Sequence, residues 1–232
     1  MLKKRVFLLA IIFIMMLQSA FAVETEFCIR DEIKWGMSIE EVIKIEAERY
    51  FDDYKALPLK EEGLGNEEID MRKKEFVAEV KEGRVFPFGD GATILNPNSE
   101  GELRLLTVET AKVSKFDASL IFAFFEEELV ACLYGFWGNG YDSEYLQSAL
   151  ETKYGAFEDD CNGELNNAVE SIYSMSMRKM WGKIFGDKHI RLDDGTVIHS
   201  FFIELGSFCI LYQNTNIQWT EIAKDVFDDY GL

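Results

Sequence analysis

The chain has 232 residues, 48% of them hydrophobic, and its 42 acidic and 24 basic side chains give a net charge of −18 at pH 7. Such a composition is typical of a globular protein with enough apolar side chains for a sizeable core. The negative charge argues against nucleic acid and anionic membrane surfaces as partners, and it favours basic proteins or divalent cations. Solubility alone also accounts for a charge of this size.

The first residues have the pattern of a cleaved secretory signal peptide. Three basic residues at positions 3–5 precede an uncharged apolar run over 6–17, and residues 18–22 end in the A-x-A spacing that signal peptidase requires. As a helix the apolar run is about 18 Å long, too short for a hydrocarbon core of roughly 30 Å. We therefore expect removal of residues 1–22. Residues 23–232 are then expected to form one exported domain, periplasmic or extracellular, without a membrane span.

The four cysteines fall into two groups by their surroundings. Cys132 and Cys209 lie in apolar, strand-like runs typical of buried thiols, whereas Cys28 and Cys161 lie among polar residues. No C-x-x-C spacing occurs, which argues against a zinc ribbon or a thioredoxin-like site. Outside the cytoplasm disulfides persist, and four cysteines allow three complete pairings. We predict a disulfide between Cys28 and Cys161, and no metal or cofactor.

The sequence after residue 32 predicts a capped helix. Ser38 and Glu41 form a capping box, in which each side chain accepts the backbone N–H of the other residue. Apolar residues at near-helical spacing extend the prediction to about three turns: Ile39, Val42, Ile43 and Tyr50. A further helix is predicted over 66–82, and its apolar face consists of Ile69, Phe76, Val77 and Val80. Residues 51–102 as a whole are predicted to be an insertion.

Strand patterns are clearest in the middle of the chain. Strands are predicted over 103–113, 119–125 and 129–137, with Glu126, Glu127 and Glu128 in a solvated hairpin turn. The last two strands have apolar residues at successive positions, so both faces of the sheet are expected to be covered.

The second half of the chain repeats the change from helix to strands. A helix is predicted from Asp142 or Ser143 to Gly155, and one of its faces carries Tyr145, Leu146, Ala149, Leu150 and Tyr154. An acidic irregular stretch follows, and residues 171–185 fit either a helix or a strand. Three strands and a closing helix are then predicted over 190–192, 197–205, 208–212 and 220–230.

The order of elements predicts an α+β fold. Helix, strands, helix, strands and helix follow one another, which favours antiparallel sheet packed by helices over alternating βαβ units. The halves 29–138 and 139–232 are candidates for weak structural repeats.

The stretch Trp35-Gly36-Met37-Ser38 at the first helix resembles a motif of uncharacterised exported bacterial proteins. More distantly, a Gly-Met-Ser turn that opens a helix beside antiparallel strands resembles two further types of protein. These are the small lipoprotein of the outer-membrane β-barrel assembly machine and the β-lactamase inhibitory protein. Both bind proteins, so the resemblance implies a binding protein and supplies no catalytic residue. The chain departs from these proteins in its insertion at 51–102 and in lacking a lipoprotein cysteine.

Motifs of common enzymes are absent from the sequence, which has no G-x-S-x-G elbow, Walker loop or H-E-x-x-H. We therefore predict an exported, non-catalytic protein that binds another protein, as an inhibitor or an envelope assembly factor. The alternative is a hydrolase of envelope polymers that uses a carboxylate pair, which 42 acidic residues leave unassigned.

Two weaker signals have simpler explanations. Glu158, Asp160 and Asn162 match the start of an EF-hand loop, but Val169 replaces the final glutamate, so an acidic surface loop is predicted. The four tryptophans Trp35, Trp137, Trp181 and Trp219 offer surfaces for sugar stacking, although core packing accounts for them more simply.

The only two histidines, His189 and His199, flank a predicted turn. A two-residue turn would place His199 opposite Ile190. A three-residue loop with Gly195 in the left-handed region instead places His189 opposite His199 and Ile190 opposite Ile198. We predict the second register, because it pairs the two isoleucines on one face. Two imidazoles that close could share a metal ion, or repel each other when protonated below about pH 6.5. An exposed neutral pair is the simpler expectation, since the sequence shows no third metal ligand.

Overall fold

The structure is a computed structural model that describes residues 32–81, 103–113, 116–137, 140–159, 184–203 and 206–217. The signal peptide, the Cys28–Cys161 disulfide and the closing helix lie outside these residues and stay predictions. The helices are α1 (Ile39–Tyr50), a π-helical turn (Phe51–Lys55), α2 (Ala56–Glu61), α3 (Asn66–Lys81) and α4 (Ser143–Tyr154). The strands are β1 (Leu103–Val113), β2 (Phe116–Phe125), β3 (Glu128–Phe136), β4 (Glu158–Asp159), β5 (Ile184–Arg191), β6 (Thr196–Ile203) and β7 (Ser207–Asn214).

The described strands form one seven-stranded antiparallel sheet in the order β1-β2-β3-β7-β6-β5-β4. The predicted α+β class is therefore confirmed. The first half of the chain contributes α1, α2, α3 and the meander β1-β2-β3, and the second half contributes α4 and the meander β5-β6-β7. The last strands of the two meanders, β3 and β7, pair at the centre. Whether the halves 29–138 and 139–232 are repeats stays a prediction, as does the insertion at 51–102.

Both faces of the sheet are buried, as the apolar strands predicted. The helix face carries Phe122, Tyr134 and Ile210, which form one core with buried residues of the helices such as Val42 and Leu150. The opposite face carries a second cluster, whose members include Leu105, Leu133, Phe201 and Leu211. Because successive residues of a strand point to opposite faces, a strand buried on both sides must be apolar throughout.

The predicted helix starts are confirmed by their caps. Ser38 and Glu41 form the expected capping box, and Asp142 caps α4 by accepting the N–H of Tyr145 at 2.9 Å. The predicted buried face of α3 is also confirmed, since Ile69, Phe76, Val77 and Val80 are its buried residues.

Some of the sequence predictions were wrong in detail. In α4 only Leu146, Leu150 and Tyr154 are buried. Ala149 and Tyr145 are exposed, because they lie about 100° and 140° round the helix from Leu150, the centre of the buried stripe. The helical conformation also continues beyond Tyr50 through the π-helical turn into α2. Glu158, expected in a surface loop, lies in the short strand β4.

Candidate functional site

Four aromatic residues lie at the end of the sheet where β2 begins and β3 ends, on both of its faces. Phe116 and Tyr141 belong to the core under the helices, whereas Trp137 lies over Gly135, whose partner Cys209 belongs to the core on the opposite face. We call Phe116, Trp137, Tyr141 and Tyr145 the aromatic rim. Phe116 is the first residue of β2, Trp137 follows β3, Tyr141 precedes α4, and Tyr145 lies in its first turn.

Two members of the aromatic rim are exposed. Trp137 and Tyr145 are each 44% accessible, and among the described residues only Leu57 and Met71 are comparably exposed large hydrophobic side chains. Tyr145 contacts the buried Phe116 edge-on, with ring centres 5.8 Å apart. Large aromatic side chains held in this way offer apolar surface to a partner without losing much conformational freedom.

The remaining contacts fix the rim to the sheet. The Tyr141 ring stacks on Phe208 at 6.1 Å, and its hydroxyl donates to the carbonyl oxygen of Gly206 at 2.9 Å. The Trp137 indole lies over Gly135, where an added Cβ would stand 3.2 Å from Trp137 Nε1. Gly135 thus leaves the room that the indole occupies.

The surroundings of the rim are acidic. Asp117, Asp142 and Glu144 are exposed beside Phe116, Tyr141 and Tyr145 in the chain. Burial raises the pKa of the Tyr141 phenol above 10.0, and the neighbouring Cys209 raises it further. The phenol therefore stays neutral as a donor to Gly206, and the charge of the rim comes from its carboxylates.

The histidines lie elsewhere, on the face opposite the helices. His189 pairs with His199 and Ile190 with Ile198, which confirms the predicted register, and Gly195 has the expected left-handed conformation, with φ of 87°. The prediction that the pair is exposed was wrong, because His189 is 4% and His199 0% accessible. The turn sequence was sufficient to predict which residues of β5 and β6 face each other. It gave no information on which residues cover this face of the sheet.

The two histidines belong to a row of directly paired residues that crosses the sheet. From the apolar side the row runs through Ile121, Leu133, Leu211, His199, His189 and Glu158. It changes from apolar to polar where β7 gives way to β6.

Polar side chains surround the histidine pair. Glu158 Oε2 lies 3.5 Å from His189 Nε2, and Asp187 Oδ1 lies 3.7 Å from His199 Nδ1. His199 Nε2 also contacts Gln213 Oε1 at 3.1 Å, and the two imidazole centres are 6.3 Å apart. Asp187 and Gln213 were not singled out from the sequence, although their spacing of two residues from His189 and Leu211 places them on the same face.

The Trp-Gly-Met-Ser motif has a structural role. Gly36 N donates to Leu129 O at 3.2 Å, and Leu129 N donates to Met37 O at 2.8 Å, so the segment before α1 pairs with the start of β3. Gly36 has φ of 79°, a left-handed conformation that glycine adopts without steric cost. The motif therefore positions α1 on the sheet.

The buried thiols are as predicted. Cys132 and Cys209 are both 0% accessible and free of disulfides, and they belong to the cores on opposite faces of the sheet. Two cysteines that point to opposite faces cannot form a bond without movement of the backbone.

Comparisons of the chain with protein-family models, curated proteins and solved structures found no match. The resemblance of the Trp-Gly-Met-Ser segment to exported binding proteins thus stays a prediction. None of the described helices has the length and apolar character needed to cross a membrane.

Proposed function

We propose that the chain is an exported binding protein whose aromatic rim docks a partner protein with a basic surface. The observation that carries this proposal is the exposure of two large aromatic side chains at one end of the sheet, Trp137 after β3 and Tyr145 in the first turn of α4. Tryptophan and tyrosine are the residues most often found at the centre of protein interfaces, where single truncations cost more than 1 kcal/mol.

The charge of the rim supports a basic partner. Asp117, Asp142 and Glu144 are exposed and are chain neighbours of Phe116, Tyr141 and Tyr145, and the whole chain carries −18 at pH 7. Complementary charge speeds the encounter of two proteins and disfavours acidic competitors. A lysine- or arginine-rich surface with an apolar centre fits this arrangement. The alternative, a hydrolase with an unassigned carboxylate pair, stays a prediction.

The test compares retention of envelope proteins by three versions of the chain. The bait is the parent, Trp137→Ala/Tyr145→Ala, or a control Leu57→Ala/Met71→Ala, which removes the two exposed apolar side chains of α2 and α3 instead. We expect one basic protein to be retained by the parent and by the control, and to be lost with the rim variant. The affinity of the purified pair should fall at least tenfold in the rim variant and weaken as salt is raised.

Two results would oppose the proposal. One is equal retention by the parent and the rim variant, which would place binding elsewhere on the surface. The other is loss of the retained protein with the Leu57→Ala/Met71→Ala control alone, which would show that the interface lies on α2 and α3.

A further inference from the structure

The imidazole of His189 has one nitrogen that nothing in the described part of the chain engages. His189 is 4% accessible, and its Nδ1 atom is buried without a hydrogen-bond partner among the described residues. A buried polar atom left unpaired is unfavourable, and native proteins contain few of them. Such an atom therefore points to something that it binds.

The other nitrogen of the same ring faces a carboxylate. Glu158 Oε2 lies 3.5 Å from His189 Nε2 across the β4–β5 pair, and the Glu158 side chain is 74% accessible. In metal sites the ligating histidine usually presents its second nitrogen to a carboxylate, which fixes the tautomer and increases ligand basicity. The proton on Nε2 then leaves the lone pair of Nδ1 available to a cation.

Further donors lie on the same face of the sheet as His189. His199 faces His189 directly, and its Nδ1 is 3.7 Å from Asp187 Oδ1. Since a zinc–imidazole bond is about 2.0–2.1 Å long, and the ring centre lies roughly 1.1 Å behind the nitrogen, two imidazoles bound to one tetrahedral ion have centres about 5.2 Å apart. The observed separation is 6.3 Å, so the two rings approach each other by about 1 Å when the ion binds.

We propose that His189 Nδ1 binds a divalent transition-metal ion of the zinc class, with His199 and Asp187 as the neighbouring donors and Glu158 supporting the ring from its far side. Within the described residues, no three His, Cys, Asp or Glu side chains already surround a common point. Binding therefore draws these donors together by side-chain rotation, with water completing the coordination.

The donor set selects the kind of ion. Imidazole nitrogen suits zinc, copper and nickel, whereas magnesium and calcium favour sites built from oxygen. The two carboxylates favour a cation over any anionic ligand at the same place. This site is on β4, β5 and β6, apart from the aromatic rim, so its test is independent of the proposed binding function.

Calorimetric titration of the full chain with Zn²⁺ in chelator-free buffer tests the proposal. We expect about one saturable ion for each chain, and at least a tenfold weaker affinity in His189→Ala. Glu158→Gln should weaken binding by about 10–100-fold, the usual effect of removing an outer carboxylate partner. Because the Glu158 side chain is largely exposed, this variant keeps the core intact even where His189→Ala fails to fold.

The matched control is Glu126→Gln, which removes another exposed carboxylate at the far hairpin and should leave the affinity unchanged. The visible spectrum of the Co²⁺-loaded chain gives a second measurement, since it distinguishes nitrogen and oxygen ligands from thiolate. Absence of saturable Zn²⁺ binding overturns the proposal. So does parent-like affinity in His189→Ala or in Glu158→Gln, or a thiolate band that places the ion at a cysteine.

Discussion

The indole N–H of Trp35 donates to the hydroxyl of Thr196 at 2.8 Å, which joins the segment before α1 to the first residue of β6. The two residues are 161 positions apart, and Thr196 is fully buried. The backbone N–H of Thr196 also donates a hydrogen bond to Asp194 Oδ1 at 2.8 Å. One hydrogen bond thus connects the helix-opening motif of the first half to the β5–β6 turn of the second.

Removing this hydrogen bond should destabilise the fold. Trp35→Phe and Thr196→Val are each expected to lower the free energy of unfolding by about 1 kcal/mol. Their double variant should lose less than the sum, because both changes remove the same interaction. Urea unfolding of the four proteins measures the coupling. Strict additivity would show that the hydrogen bond contributes no stability.

The cap of α1 gives a second prediction. Ser38 Oγ accepts the backbone N–H of Glu41 at 3.3 Å. Ser38→Ala should cost about 1 kcal/mol of stability, whereas Ser38→Asp should be nearly neutral, since an aspartate oxygen accepts the same bond. Chemical denaturation compares the three proteins. Identical midpoints for all of them would mean that the serine hydroxyl is not the stabilising cap.

The second hydrogen bond of the capping box, accepted by the Glu41 side chain, predicts that stability depends on pH. Hydrogen bonds from the Ser38 backbone N–H and hydroxyl lower the pKa of Glu41 below 4.5, and Lys81 lowers it further. With a folded pKa below the unfolded value, the stabilisation is present above the unfolded pKa and is lost as pH falls through the folded pKa. The stability difference between parent and Glu41→Ala should therefore shrink below about pH 4.3. A difference that stays constant down to pH 2 would contradict this linkage.

The β2–β3 turn offers a stabilising substitution. Glu126 and Glu127 both have positive φ, 49° and 70°, as a two-residue type I′ hairpin turn requires. Non-glycine residues pay a steric cost there, which Asn and Gly reduce. Glu126→Asn/Glu127→Gly should raise stability by about 1 kcal/mol, even though it removes the exposed ion pair between Arg104 and Glu127, which is worth less than that. Thermal unfolding measures the change, and a lower Tm would show that the ion pair dominates.

Alanine substitutions at two glycines distinguish the cost of a left-handed backbone from the cost of a steric clash. Gly195 and Gly63 both have left-handed φ, 87° and 92°, but a Cβ on Gly195 would meet Asn216 Nδ2 at 2.6 Å, whereas nothing lies near Gly63. Gly63→Ala should cost about 1 kcal/mol from backbone conformation alone. Gly195→Ala should cost more, because Asn216 must also release its hydrogen bond to the Asp194 carbonyl oxygen. Equal losses in urea unfolding would show that Asn216 moves freely.

Local sequence patterns were sufficient for much of the fold. The bounds of β1 and the capping box of α1 followed from apolar alternation and from the Ser38–Glu41 spacing, because both depend on residues close in the chain. The histidine register also followed, since the turn around Gly195 fixes which residues face each other.

Features set by distant contacts could not be read in this way. The pairing of Glu158 with His189 joins two segments far apart in the chain, and burial of the histidines depends on what covers their face. The exposure of Tyr145 could not be predicted, because helical periodicity does not show which part of an apolar helix face the sheet covers. The π-helical turn at Phe51–Lys55 has no periodic signature, because its extra residue shifts the pattern itself.

The pairing of β3 with β7 determines how the chain folds. Six residue pairs, from Ala131 with Gln213 to Phe136 with Phe208, join the two halves at the centre of the sheet. Either half alone would expose an unpaired edge lined with core side chains, so neither is expected to persist as an independent unit. Bringing together strands this distant in sequence costs chain entropy before their side chains pack. We therefore expect the pairing of the two halves to be the slow step of folding. During synthesis the first meander, β1-β2-β3, therefore cannot complete its packing until β7 has been made.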